Sequence, residues 1–297
     1  MANSVEFDGT LSIHMPLGLR GTSMASTPQR DDHVYRFTRL LAVIIIPFLI
    51  VAWAILYLLP DRTGELFAWP IKPPMTAMML ASAYLGGVYF FVRVALAKQW
   101  HTIKVGFPPV IMFASLLGIA TFLHWDRFTH DHISFFTWTL LYVTTPFLVF
   151  GAWWFNRRTD PRTPNTADKI IPHWLRWLLG GVGAVTLIIS LLLFLFPQPM
   201  IAVWPWTLTP LTARVVGAMF ALPGLVGLGI ALDRRWSAAR IILQAQALSI
   251  AFILIAAIRS WSDFNPANLA TWLFIGGLGA LLAGIIVLYA LMERQKT

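Results

Sequence analysis

The chain predicts an all-α, polytopic membrane protein with eight transmembrane helices arranged as two parallel four-helix repeats. Three observations carry that prediction. Of 297 residues, 58% are apolar and only 12% charged, with a mean hydropathy of +0.70, a balance foreign to soluble domains. Eight apolar stretches are each long enough for a bilayer core, which needs about 20 residues per helix. From Thr76 onward, landmark residues recur 136 positions later without gaps: Thr76 with Thr212, Ala77 with Ala213, Trp100 with Trp236, Lys104 with Arg240, Trp125 with Trp261 and Phe128 with Phe264.

In chain order, residues 1–38 read as a cytoplasmic N-terminal tail. They are polar, carry Arg20, Arg30, Asp31, Asp32 and Arg36, and lack the continuous apolar run of a cleavable signal. Met24 opens Met24-Ala25-Ser26-Thr27, which has the look of an ordinary start. The first four-helix unit, 39–155, holds spans at roughly 40–59, 75–97, 106–123 and 134–155. A basic cytoplasmic linker, 156–176, follows, with Pro161 and Pro164. The second unit, 177–297, holds spans at roughly 177–196, 211–232, 239–258 and 269–291. Pro47, Pro108 with Pro109, Pro146 and Pro223 fall inside these stretches and predict bends in spans one, three, four and six.

Of the 22 Lys and Arg residues, all but Arg62, Lys72, Arg127, Arg214 and Arg259 fall on one side of this topology. Basic residues mark the cytoplasmic face, so both termini are expected there, with the Trp-Pro loops facing outward. Because each unit has an even number of helices, both insert the same way up. That predicts a pseudo-twofold axis along the membrane normal.

Trp204-Pro205-Trp206-Thr207-Leu208-Thr209-Pro210-Leu211-Thr212-Ala213 has an earlier counterpart in Trp69-Pro70-Ile71-Lys72-Pro73-Pro74-Met75-Thr76-Ala77. Both read as outer interfacial loops: they are too short to span and apolar enough to lie among headgroups, with the indoles at the boundary. Thr209-Pro210 reads as an N-cap followed by the first helical residue. Such loops either simply return the chain to the membrane or act as flaps over an outward cavity.

Net charge of +9 would suggest nucleic acid in a soluble domain, but these cations flank apolar spans, where they meet anionic lipid. No nucleic-acid partner is expected. Zero cysteines exclude disulfides, thiolate nucleophiles and thiolate metal sites, and no cofactor is expected. The remaining metal or haem candidate is His124, His130 and His132 in the loop after the third span, where the alternative is solvated surface. Within the spans, Arg93 sits near the inner end of the second, positioned to snorkel to the headgroups. Gln244 and Gln246 lie on opposite sides of the seventh, able to bind a neighbouring helix or a ligand. No Asp, Glu or Lys lies mid-span, which argues against ion coupling. No Gly-x-Ser-x-Gly elbow occurs, and no nucleophile has a base in evident reach. Gly180-Gly181-x-Gly183, Gly217, Gly224, Gly227, Gly229 and Gly276-Gly277-x-Gly279 with Gly284 mark close helix packing or a dimer face.

The segment Trp204-Pro205-Trp206-x-Leu208-Thr209-Pro210-Leu211-Thr212-Ala213-Arg214 resembles segments of uncharacterised bacterial multi-helix membrane proteins. The resemblance covers this segment and the following helix, less so Trp69–Ala77, where Lys72 and Pro73 depart from it. It implies a bacterial inner-membrane location and no activity. Three functions stand open: binding or passing an apolar or weakly polar molecule or lipid between the halves; a non-catalytic accessory or scaffold subunit, as a homo-oligomer or in a membrane complex; and a metal or haem protein using the outer histidines. Beyond the lipid bilayer, no partner is specified.

Overall fold

Eight helices long and apolar enough to cross a bilayer carry the chain in the computed structural model, which describes residues 30–164 and 168–294. They are α1 (Arg36–Leu58), α2 (Pro74–Leu96), α3 (Phe107–Leu123), α4 (Ile133–Asn156), α5 (His173–Leu195), α6 (Pro210–Leu232), α7 (Trp236–Arg259) and α8 (Leu269–Arg294). Among the described residues, strand-like pairing is confined to three isolated bridges. Most of the expected tail, with Arg20 and Met24, and Lys296 lie outside the described residues.

Two expectations shift. Pro108 and Pro109 occupy the first turn of α3, where proline removes no intrahelical bond, whereas Pro47, Pro146 and Pro223 lie inside α1, α4 and α6. Helix α5 starts at His173, earlier than hydropathy suggests. Arg176 does not interrupt it, because its guanidinium donates to Ala231 O near the end of α6, a favourable place for a cation. Arg39 of α1 donates likewise to Ala97 O beyond α2, at 2.9 Å.

Helix boundaries follow the repeat. Helices α2 and α6 keep the 136-residue register at both ends, as do the ends of α3 and α7 and the starts of α4 and α8. Helices α1 and α5 are displaced by one further residue, as are the short helices that follow them, ending at Leu66 and Val203. The turn before α2 is therefore one residue longer than the turn before α6. This changes which tryptophans correspond. Thr129 N donates to Ala68 O at 2.9 Å and Asn265 N to Pro205 O at 3.0 Å. Trp69 packs against Phe128, ring centroids 5.0 Å apart, and Trp206 against Phe264 at 5.1 Å, both steeply inclined. Trp69 is thus the counterpart of Trp206, and Phe67 that of Trp204.

The halves interlock rather than abut. Helix α2 packs on α7 and α3 on α6, while α2 and α3 of the same unit scarcely touch. Outside this centre, α1 covers α2, α5 covers α6, α4 covers α3, and α8 lies more loosely on α7. Where lipid surrounds the protein, close approach rather than hydrophobic drive holds helices together. A Cβ on Gly183 of α5 would lie 2.7 Å from Gly224 O, and one on Gly86 of α2 would collide with Ser249 of α7. The N-terminus of α6 is closed by its own capping box of Thr209 and Thr212. That of α2 has no cap of its own and takes Asp263 from the other half, Met75 N donating to Oδ2 at 2.9 Å.

Candidate functional site

Two places bring polar and apolar groups of both halves together. The first is the end of the bundle where most Lys and Arg residues lie. Asp160, after α4, receives Arg235 at 3.0 and 3.2 Å and Lys104 at 2.6 Å; Asp233 receives Arg235 at 2.7 Å and Lys104 at 2.6 Å. All four side chains are largely buried, Arg235 at 3% exposure. Burial alone would raise the Asp160 carboxyl, but hydrogen bonds from Arg235 and Lys104 outweigh it and hold the group at about 2. The same donors hold Asp233 well below the carboxylate range against its own burial. Burial would lower Arg235, and the two carboxylates raise it instead. Two cations and two anions close a neutral cluster joining the linker, the α2–α3 connection and the α6–α7 connection.

Beside it, His101 and Ser237 occupy the same register of the two repeats and touch each other, Nε2 to Oγ at 2.9 Å. A residue that meets its own counterpart marks the pseudo-twofold axis. Asp32 binds the other ring nitrogen of His101, and Ser237 Oγ lies 2.7 Å from Asp168 Oδ2. A serine with an imidazole and a carboxylate behind it corrects the expectation that no nucleophile has a base in reach. The arrangement is nevertheless a poor acyl-transfer site. Ser237 spends its one proton on Asp168, which can only accept. Its own backbone N–H points to Asp168 at 3.3 Å, and those of Trp236 and Ala238 go to Lys169 O and Arg235 O. None of these three N–H groups is left for an oxyanion. The Asp32–His101–Ser237–Asp168 chain ties the halves at the axis.

The second place is a cavity of about 660 Å³ walled by side chains from all eight helices, almost all apolar. Its walls follow the repeat: Ala83 faces it in one half and Met219 in the other, Phe113 and Ser249, Leu141 and Gly277. Its polar groups are few. Tyr84 and Tyr142 share one hydrogen bond, hydroxyl to hydroxyl at 2.8 Å. Gln246 of α7 lines the cavity with a buried Oε1 that has no partner among the described residues. Near the opposite end of the helices, Trp204 and Pro205 line it, and the Trp204 indole N–H is likewise unpartnered.

The residues singled out from the sequence are distributed as follows. Trp69 and Trp206 are 2% and 3% exposed, packed inside aromatic caps rather than facing headgroups. Each cap supplies enough rings to bury an indole, as Trp138 on Trp69 at 4.7 Å and Phe274 on Trp206 at 5.1 Å illustrate. Trp206 Nε1 donates to Thr76 Oγ1 across the halves at 2.9 Å. Pro70 is exposed and Pro205 buried, consistent with their different registers.

The three histidines go separate ways. His124 Nε2 accepts from Arg214 of α6 at 2.6 Å, His130 packs edge-on to Phe135 at 4.7 Å, and His132 caps α4 by accepting from Ser134 N at 3.2 Å. Burial first, then the charge of Arg214, pushes the His124 imidazole below its ordinary value. Among the described residues, no three His, Asp or Glu side chains are grouped to hold a metal ion. Arg93 is half-buried and reaches back along α2, its Nη1 donating to Tyr89 OH, one turn back, at 3.3 Å. Side chains lean toward a helix's N-terminus, and for α2 that direction runs into the membrane. Gln244 joins Tyr89 and Tyr289 at 2.6 and 2.9 Å.

The Tyr84–Tyr142 pair and the Asp160–Arg235 cluster gave no signal in the sequence, being made by partners 58 and 75 residues apart. His101 and Ser237 were within reach, since each directly follows a register-matched tryptophan. No family model, no curated protein and no solved structure matches this chain.

Proposed function

We propose that this multi-pass integral membrane protein binds an apolar or weakly polar molecule, or a lipid chain, in the cavity between its interlocked halves. The observation that carries the reading is the cavity itself, about 660 Å³ and walled by all eight spans. That volume is in the range of small-molecule sites, which are apolar with a few placed polar groups. Gln246 Oε1 and Trp204 Nε1, both buried and unpartnered, supply one acceptor and one donor far apart along the walls, which suits a long, weakly polar guest. With Trp204 and Pro205 at one end, the flap reading of that loop fits the same scheme. Gly277 provides the test, because it lines the cavity and a Cβ there meets nothing within 4 Å. Gly277→Phe, whose Cβ meets nothing, should place a ring at the cavity wall and reduce its volume. Purified protein should bind a fluorescent fatty acid at one saturable site, and Gly277→Phe should weaken it at least tenfold. Absence of binding, or equal binding by both proteins, would refute the reading.

A second reading rests on α8, the least buried span, whose Gly276, Gly279 and Gly284 have open space where a Cβ would be. A partner helix, from a second copy or another subunit, would fit this face as small residues allow. It requires a stable complex after mild detergent extraction; a monomer running alone removes it. In either reading we place both termini and the basic end in the cytoplasm of a bacterial inner membrane, on the distribution of Lys and Arg.

A further inference from the structure

We infer that the seam between α2, α7 and α8 binds one anionic phospholipid, its phosphate held by Arg93 at the basic end and an acyl chain running toward the cavity. The inference rests on the cavity reading above and adds the headgroup chemistry.

Its starting point is a surplus of donors. Arg93 Nη1 donates to Tyr89 OH at 3.3 Å, and Tyr89 donates in turn to Gln244 Oε1 at 2.6 Å. From the other side, Tyr289 OH accepts from Gln244 Nε2 at 2.9 Å and from Arg240 Nε at 3.3 Å. A guanidinium carries five N–H donors and a phenol one. Arg93 spends a single donor, and the Tyr289 proton has no acceptor among the described residues. Nor does any described carboxylate lie within 4.0 Å of Arg93; Glu293, the one nearby, is 3.5 Å from Arg240 and also accepts from Trp236 Nε1 at 3.0 Å. The group carries two guanidiniums against one carboxylate, and its missing component is an acceptor with negative charge.

Depth selects the occupant. Arg93 lies one turn inside the end of α2 at Leu96, and its side chain points further in. An unpaired cation at that depth is costly, and the anion a bilayer offers there is a phosphodiester, which guanidinium binds as a fork. The seam continues into the cavity wall: Phe90 and Gly86 line the cavity from the face of α2 that carries Arg93 and Tyr89, and Leu281 lines it from α8, two turns from Tyr289. The guest is therefore one molecule with a charged head and an apolar tail.

The other seam lacks every one of these groups except a cation. In the repeat register Arg93 becomes Gly229, Tyr89 Leu225, Gln244 Pro108 and Tyr289 Trp153. Arg240 becomes Lys104, already held by Asp160 and Asp233. A Cβ on Gly229 would sit 2.8 Å from Val105 Cγ1, so packing closes that place. One lipid per chain follows.

The test is native mass spectrometry of the full chain from neutral detergent doped with equal phosphatidylglycerol and phosphatidylcholine of identical acyl chains. Wild type should retain one phosphatidylglycerol with at least a tenfold preference. Arg93→Gln should reduce the preference to about one, Arg93→Lys should restore part of it, and Arg36→Gln, at an exposed position of the same end, should leave it intact. If Arg93→Gln does not purify folded, Tyr289→Phe with Arg240→Gln should lose the same preference. No preference in wild type, or a preference indifferent to these changes, overturns the inference. Lipid retained without headgroup preference but lost in Gly277→Phe overturns it while leaving the cavity reading standing. Preference unchanged in Gly277→Phe supports the headgroup site and overturns the acyl chain's place in the cavity.

Discussion

Arg235→Met offers the most direct measure of how the basic end is held. The substitution keeps the apolar stem and removes four hydrogen bonds, two to Asp160 at 3.0 and 3.2 Å and two to Asp233 at 3.0 and 2.7 Å. Two carboxylates, at 7% and 12% exposure, keep Lys104 as their shared cation and one backbone N–H each, from Arg162 to Asp160 and from residue 235 to Asp233. The cluster passes from neutral to one uncompensated negative charge. Removing one member of a buried ion pair costs about 3–5 kcal/mol, and the expected loss at pH 7 is of that size. Arg235→Lys should lose less, because it keeps the charge and forfeits the fork. The assay is equilibrium unfolding in mixed micelles of rising SDS fraction, followed by tryptophan fluorescence. Acid provides an independent reading. Asp160 is held at about 2 against an ordinary 3.8, and Asp233 is depressed further, so below about pH 4 the unfolded chain binds more protons than the folded one. This contribution is fully present above that pH and drains away as pH falls through the folded values. The cluster's contribution should therefore be constant from pH 7 to about 5 and be lost steeply below 4 in wild type, whereas Arg235→Met should show a shallower limb below 4. A loss under about 1 kcal/mol, or matching acid limbs, would refute the assignment of this cluster as a fastening between the connections.

Other expectations follow from the same coordinates. Gly183→Leu drives a side chain into Gly224 O and Gly227 Cα and should cost about 2–3 kcal/mol, while Gly276→Leu, with open space, should fall within about 0.5 kcal/mol; equal effects in the unfolding assay would contradict the packing of α5 on α6. Trp206→Phe removes the bond to Thr76 and should cost about 1 kcal/mol more than Trp69→Phe, because Trp69 Nε1 has no partner to lose among the described residues. A chain without cysteine permits single-cysteine labelling on a silent background: in intact cells Asp126→Cys should react with an impermeant maleimide and Arg158→Cys should not, and the reverse pattern would invert the topology. His124 is pushed below its ordinary 6.5 by burial and Arg214, so its contribution is complete above that pH and lost as pH falls below it; Arg214→Met, which leaves the burial in place, should lessen the loss between pH 7 and 5, which a melting series reads.

What was legible in the sequence, and what was not, divides along the range of the forces involved. Span positions depend on local hydropathy, and the expected 211–232 and 269–291 lie against Pro210–Leu232 and Leu269–Arg294. The duplication was legible because Thr76, Trp100 and Trp125 keep a constant spacing from their copies. The Trp-Pro pairs misled: matching Trp69-Pro70 to Trp204-Pro205 follows the letters, whereas the backbone bonds of Ala68 and Pro205 follow the turn, which differs by one residue. Arg93 was assigned to the headgroups by its position near a helix end, and its bond to Tyr89, four residues back, was not read from the sequence. Pairs such as Tyr84–Tyr142 and Asp160–Arg235 depend on which helices become neighbours, and that was hidden by the interlocking of the halves. A reader of the sequence would place α2 against α3, its hairpin partner, rather than against α7.

The interlocking also indicates where to look for activity. Duplication begins with two equal seams, and requirements of packing alone would keep them alike, as the paired aromatic caps and the Arg39 and Arg176 contacts remain alike. Differences at register-matched positions show where the two halves have diverged. At the axis His101 faces Ser237; at the tryptophan end Asp263, which caps the opposite half, stands where the first unit has Arg127. In the cavity, Tyr84 and Tyr142 stand opposite Phe220 and Leu278. Along the basic seam, Arg93, Tyr89, Gln244 and Tyr289 replace an otherwise apolar set. A guest that recognised only the apolar walls would have no reason to distinguish the seams. One that carries a charged group would need a single, one-sided anchor, and the polar substitutions at the basic end gather on the α2–α7–α8 side.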